Sequence, residues 1–211
     1  PASPQTSQQA KGMPSEPVLF HFFEAVMDFL AQMIVGAPEE AYFYLWHLGG
    51  GKISTSFRVG DGAEPAIAFA KGKNELYVGT SYSRTPVDPK NRVEAAASAG
   101  IAGLWMDVDV AHPCHKKADK LPPRYEDAYL LIQRMPLAPT CIVDTGHGLQ
   151  PWWFFQEAWM FDGPGERDKA AILVAAWEDL LRLDAARVGW VVDSTHDLAR
   201  VMRVHGTLNA K

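Results

Sequence analysis

Asp107 and Asp109 stand two apart in the run LWMDVDV, alternating with Met106, Val108 and Val110. On a strand this alternation sends both carboxylates off one face and the apolar side chains into a core. Like charges held so close repel and raise one pKa unless a divalent cation neutralises both, and Mg2+ or Mn2+ suits oxygen donors of this kind. Two solvent-facing positions on a half-exposed strand explain the same spacing, so this motif alone is weak. A second constellation is Asp144-Thr145-Gly146-His147-Gly148-Leu149-Gln150, between an apolar run and the aromatic run Trp152 to Phe155. Its glycines allow close backbone approach to a ligand and present N–H groups to anions, while Thr145, His147 and Gln150 suit a triphosphate or a ribose; an ordinary hairpin turn is the competing reading. The third is the segment from Asp193 to Lys211, with Arg200 and Arg203 three apart. On a helical turn both guanidinium groups share one side, where they grip phosphate or simply meet solvent. Asp193 reads as a further metal ligand or as an N-cap, with Asp197 as its competitor.

The elements that must position these residues are mixed. The spacing of Leu19, Phe22, Phe23, Val26, Met27, Leu30 and Ile34 predicts an amphipathic helix over 18–35, ended by Gly36 and Pro38. The runs at 41–48, 53–59, 65–70 and 75–82 read as strands joined by tight turns, 91–100 as a helix, and 101–110 as the acidic strand. Helices are predicted at 124–135 and 166–183, a hairpin at 138–155, a short strand at 189–194 and a basic segment at 198–211. The fold class is α+β, with no second domain marked by composition and no internal repeat. Residues 1–17, rich in Pro, Ser and Gln, read as a disordered tail.

With 211 residues, 47% of them hydrophobic, the chain is able to bury one sizeable core. Its net charge of −5 leaves attraction to nucleic acid to local clusters, of which Lys116, Lys117, Lys120 and Arg124 form one and Lys71, Lys73, Arg84, Lys90 and Arg92 another. No apolar window is long enough to span a bilayer and no export signal is evident, so a cytoplasmic protein without membrane partners is expected. Cys114 and Cys141 match no zinc spacing; even with His112 and His115 nearby, no zinc is expected.

The strings LWMDVDV, VDTGHGLQPWW and VDSTHDLARVMRVHGTLNAK, in this order, resemble the archaeo-eukaryotic primase superfamily, in particular the primase-polymerases of phages, plasmids and related mobile elements. The likeness runs from about residue 75 to the last residue, and the ending is its most specific part. The resemblance implies a catalytic domain over 18–211, with an RRM-like antiparallel sheet packed against a second α/β unit and an active site in the cleft between them. It implies a DNA primase/DNA polymerase that makes or extends primers on a single-stranded DNA template from dNTPs or NTPs, using two Mg2+ or Mn2+ ions. By position, Asp107, Asp109 and Asp193 match the metal-binding catalytic carboxylates. Thr145, Gly146, His147, Gly148 and Gln150 match the nucleotide-binding motif, in which Gln150 replaces the usual histidine. His115 and Lys116 match a His-Lys pair that meets phosphate, and Arg200 and Arg203 match the triphosphate-facing arginines. Arg84, Lys117, Lys120, Asn209 and Lys211 are expected at the nucleic acid. His205 stands where proline is usual. Relatives carry a helicase or accessory domain further on, so a larger replication protein of bacterial, phage or mobile-element origin is expected. The alternatives are a catalytically weak single-strand or nucleotide-binding module of the same fold, and a glycosyltransferase using the Asp-x-Asp pair.

Overall fold

A computed structural model describes residues 25–49, 51–113 and 115–207. The expected tail, the start of the first helix, Asn209 and Lys211 lie outside the described residues. The architecture is mixed, with two antiparallel sheets and four helices among those residues. Helix α1 occupies 25–32 and buries Val26, Phe29 and Leu30; Gly36, at a φ of 66°, turns the chain away. The first sheet has the order β2-β1-β3-β9, made of β1 (Tyr42–His47), β2 (Ile53–Arg58), β3 (Leu76–Gly79) and β9 (Val201–Arg203). The second has the order β4-β5-β8-β6, made of β4 (Ser81–Tyr82), β5 (Gly100–Trp105), β6 (Val108–Asp109) and β8 (Gly148–Met160), with β7 (Cys141–Asp144) also paired to β8. The run at 75–82 is therefore split: β3 and β4 feed different sheets across Thr80. Its N–H and Oγ1 are both held by the carbonyl of Arg200.

Three expectations are corrected. The run at 65–70 is not a strand but part of helix α2 (Glu64–Ala70), because Pro65 sits in its first turn and Ala66, Ile67 and Ala70 share its buried face. The stretch 91–100 forms only the 3-10 turn Ala95–Ala97 before joining β5 at Gly100. Residues 189–194 pair with no strand; their backbone is held from elsewhere, as where Val191 N–H donates to the carbonyl of Lys120 at 2.8 Å.

Helix α3 (Tyr125–Ile132) packs on β8, and the long helix α4 (Pro164–Arg187) packs on β5. Every residue of β5 is buried, which fits a central strand covered on both faces. Trp105 and Trp152 lie wholly inside the core and Trp153 is 5% exposed, so both tryptophans after the glycine turn are packing residues. Among the described residues no helix is long and apolar enough to cross a membrane.

Candidate active site

The acidic run leaves β5 at Trp105 and re-enters the sheet as β6, with Asp107 between the two. Met106, Val108 and Val110 are buried, while Asp107 and Asp109 are partly exposed, as the alternation requires. Register places Asp109 opposite Gly148 and Val108 opposite Leu149, and Val110 N–H donates to the carbonyl of His147 at 2.9 Å. The glycine turn is thus fastened directly to the acidic strand. Its two glycines do different jobs. Gly146 takes a φ of 83°, with its N–H donating to Asp144 Oδ1 at 2.8 Å. A Cβ on Gly148 would sit 2.4 Å from the Val108 carbonyl oxygen and 2.8 Å from Asp109 Cα, so only glycine lets the strands meet here.

Burial and the neighbouring Asp109 push Asp107 up to about 7; Asp193 adds to this, and a Gln150 hydrogen bond and Arg200 oppose it. Asp109 is raised as well, first by burial and then by Asp193, against the pull of His115 and His147. Asp193, exposed and far along the chain, lines with Asp109, His115, Lys116 and Lys117 a cleft of about 350 Å3. Carboxylates from two distant segments thus act on one another electrostatically, Asp193 on both Asp107 and Asp109. Among the described residues no three His, Cys, Asp or Glu side chains already close into a metal cage. The oxygen donor set and its mutual repulsion fit a hard divalent cation, Mg2+ or Mn2+, held by Asp107, Asp109 and Asp193.

Around this cleft the basic side chains come from two loops. His115 Nδ1 lies 3.7 Å from Asp109 Oδ2. The rings of His112 and His147 are 4.4 Å apart, and His115 is 6.1 Å from His147, so three imidazoles gather beside one carboxylate. His115 Nε2, His147 Nδ1 and Arg200 Nε are buried with no hydrogen-bond partner among the described residues, as donors aimed at an anionic ligand would be. Lys116, Lys117 and Lys120 are exposed at the rim.

Four expected roles change with the geometry. Gln150 is 6% exposed; its Oε1 accepts from Arg203 N–H at 2.9 Å and its side chain hydrogen-bonds Asp107, so it ties the acidic strand to β9 instead of facing a ligand. Thr145 closes the turn, its Oγ1 donating to the Gly148 carbonyl at 3.1 Å. Arg200 and Arg203 do not share a helical face. Arg203 lies in β9, whereas Arg200 precedes that strand. Arg203, 3% exposed, lies over the Tyr77 ring at 4.8 Å and donates to its hydroxyl at 2.8 Å, whereas Arg200 faces Asp107, pairs with Asp197 at 2.9 Å and donates to the Ser194 carbonyl. That ion pair engages Asp197 and leaves Asp193 as the carboxylate in the cleft. Arg84 donates to the Phe161 carbonyl at 2.8 Å, just past the far end of the 13-residue β8. It stands at the opposite end of that strand from the glycine turn and is separated from the site.

Sequence reasoning named His112 only in the zinc reading and missed Thr145's turn-closing bond and a buried carboxylate, Glu178, under the Asp193 segment. Glu178 was readable: it occupies a core position of α4 in line with Val174, Leu181 and Ala185.

No protein-family model and no curated protein sequence matches the chain. Among solved structures, it is similar to the AEP domain of the cyanophage S-2L primase-polymerase (PrimPol), with a TM-score of 0.42 and 12% sequence identity, covering 90% of this chain and 81% of that one. At that level of likeness the functional reading rests on the residues of this chain.

Proposed function

We propose that the chain is a metal-dependent, template-directed nucleotidyltransferase, a DNA primase/polymerase acting on single-stranded DNA with nucleoside triphosphates. The observation that carries this is that Asp109 and Asp193 line one cleft with His115, Lys116 and Lys117, and that both carboxylates act electrostatically on the neighbouring Asp107. In this reading the second sheet with α3 and α4 is the RRM-like unit, the first sheet with α1 and α2 is the other unit, and the active site is the cleft lined from β6, the loop after it and the segment after α4.

The three carboxylates would hold two Mg2+ or Mn2+ ions, which when bound activate a primer hydroxyl and neutralise the departing pyrophosphate. The protein's own part is alignment. Buried β5 fixes Asp107 and Asp109 relative to the core, and a hydrogen bond with Gln150 holds the Asp107 side chain. His115 and His147 offer donors to phosphate oxygens, and Arg200 supplies a fixed positive charge beside Asp107. Lys116, Lys117 and Lys120 on the rim provide the sequence-independent attraction that a template strand requires, despite the chain's net negative charge. Phosphoryl transfer asks mainly for such positioning and charge neutralisation.

The test is primer extension and de novo synthesis on single-stranded DNA with labelled nucleotide and Mn2+. Product is expected from the wild type, and none from Asp107→Ala, Asp109→Ala or Asp193→Ala, with Asp197→Ala retaining activity. Polymerisation that survives in Asp107→Ala or Asp109→Ala refutes the assignment. Binding of nucleic acid without any product, in the wild type as well, identifies a binding module instead.

A further inference from the structure

Glu178 has no exposed surface, although it lies on α4 in line with the buried Val174, Leu181 and Ala185. Burying a carboxylate is expensive unless its oxygens are hydrogen-bonded, and replacing such a group by an apolar one is often neutral or stabilising. Its partners are therefore informative. Oε2 accepts from the Thr195 backbone N–H at 2.6 Å and from Thr195 Oγ1 at 3.0 Å. Oε1 faces His196 Nδ1 at 3.5 Å and Arg182 at 3.9 Å. The Thr195 carbonyl in turn accepts from Trp105 Nε1 at 2.9 Å.

All three polar groups of one residue, N–H, O–H and C=O, are thus consumed by α4 and β5. They hold a segment that has no regular secondary structure of its own between residues 190 and 196. The placement is specific. Trp105 precedes Asp107 by two residues, and Thr195 follows Asp193 by two. Two residues reach at most about 7 Å along the chain. The buried Trp105–Thr195 bond therefore limits how far the Asp193 backbone strays from the acidic strand, and Glu178 holds the other side of the same residue. A carboxylate suits this task because it offers two acceptor oxygens, so one takes both Thr195 donors while the other faces His196 and Arg182.

We propose that Glu178 is a positioning residue that, through Thr195 and Trp105, sets Asp193 opposite Asp107 and Asp109. The proposal rests on the reading of Asp193 as a metal ligand. It is tested on the full chain with Glu178→Gln, Thr195→Val, Thr195→Ser and Asp193→Asn, scoring Mn2+ binding by electron paramagnetic resonance, kcat and KM separately, and melting temperature. Glu178→Gln and Thr195→Val are expected to weaken Mn2+ binding and lower kcat by about tenfold each, the scale of one charge-assisted hydrogen bond. KM for primed template stays within about twofold, because the rim lysines are untouched. Thr195→Ser, which keeps both donors, restores wild-type values. Should Glu178→Gln fail to fold, Thr195→Val decides the matter. If folded variants lose melting temperature alone, with Mn2+ binding and kcat as in the wild type, the positioning role is overturned while the functional reading stands. If Asp193→Asn itself binds Mn2+ and extends primers normally, the reading of the third carboxylate falls, and this proposal with it.

Discussion

Replacing Asp107 by asparagine should stabilise the protein at alkaline pH in chelator and, under the proposed function, abolish primer extension. In the folded chain Asp107 titrates at about 7 against an ordinary 3.8, through burial first and the neighbouring Asp109 second. The folded state therefore binds the proton more tightly than the unfolded state does, and stability falls as pH rises between these values. Below the unfolded pKa both states are protonated and the penalty vanishes; above about 7 it is fully present. At 1.36 kcal/mol per pH unit this amounts to a ceiling of about 4 kcal/mol. Water at the exposed edge of Asp107 screens the charge, which brings the expected gain to about 2 kcal/mol, or roughly 4–8 °C in Tm for a chain of this size. The assay is thermal melting of wild type and Asp107→Asn from pH 4 to pH 8.5 in chelator. The two curves should coincide near pH 4 and diverge as pH rises, with the variant the more stable. Millimolar Mn2+ should then raise the wild-type Tm at pH 8 and leave the variant largely unmoved, because a ligand stabilises only the state that binds it. A variant less stable than wild type at pH 8, or two curves that keep one separation at every pH, would refute the reasoning.

Gly148→Ala should destabilise by about 1–3 kcal/mol in urea unfolding, since the added carbon meets backbone atoms of Val108 and Asp109 that cannot turn aside. Gln150→Ala should cost about 1–3 kcal/mol by the same measurement, because it leaves the Arg203 N–H buried without its acceptor. Lys116→Ala and Lys117→Ala, read by fluorescence titration of single-stranded DNA against salt, should each flatten the logarithmic salt slope by about 0.7, without dependence on DNA sequence.

What the sequence makes legible follows from where the determining forces lie. The acidic alternation at 106–110 is a local pattern, and the fold honours it because β6 has one buried face. The β7–β8 hairpin was legible for a similar reason: its turn glycines and flanking apolar runs are contiguous. The run at 65–70 misled because PAIAFA alternates as a strand does, while the deciding feature is a helix start at Glu64 and Pro65. Residues 189–194 carry strand-forming valines, yet their backbone partners are Lys120, and next to them Thr195 meets Glu178 and Trp105, all remote in sequence. The same remoteness hid the inward turn of Gln150, which depends on where β9 arrives after a further fifty residues of chain. Arg200 and Arg203 looked like a phosphate clamp only on the assumption of a helix. The chain is extended there instead: Arg200, just before β9, faces the carboxylates, and Arg203, within β9, lies over Tyr77.

The central claim is that carboxylates from the acidic strand and from the segment after α4 grip the same cations against a nucleotide's phosphates. Its most direct measurement is a crystal structure with Mn2+ and a non-hydrolysable nucleoside triphosphate, the metal located by anomalous scattering. The account predicts manganese peaks within bonding distance of Asp107, Asp109 and Asp193 oxygens, with the triphosphate against His147, His115 and Arg200. Manganese bound by other residues, or a triphosphate seated away from that cleft, would contradict it.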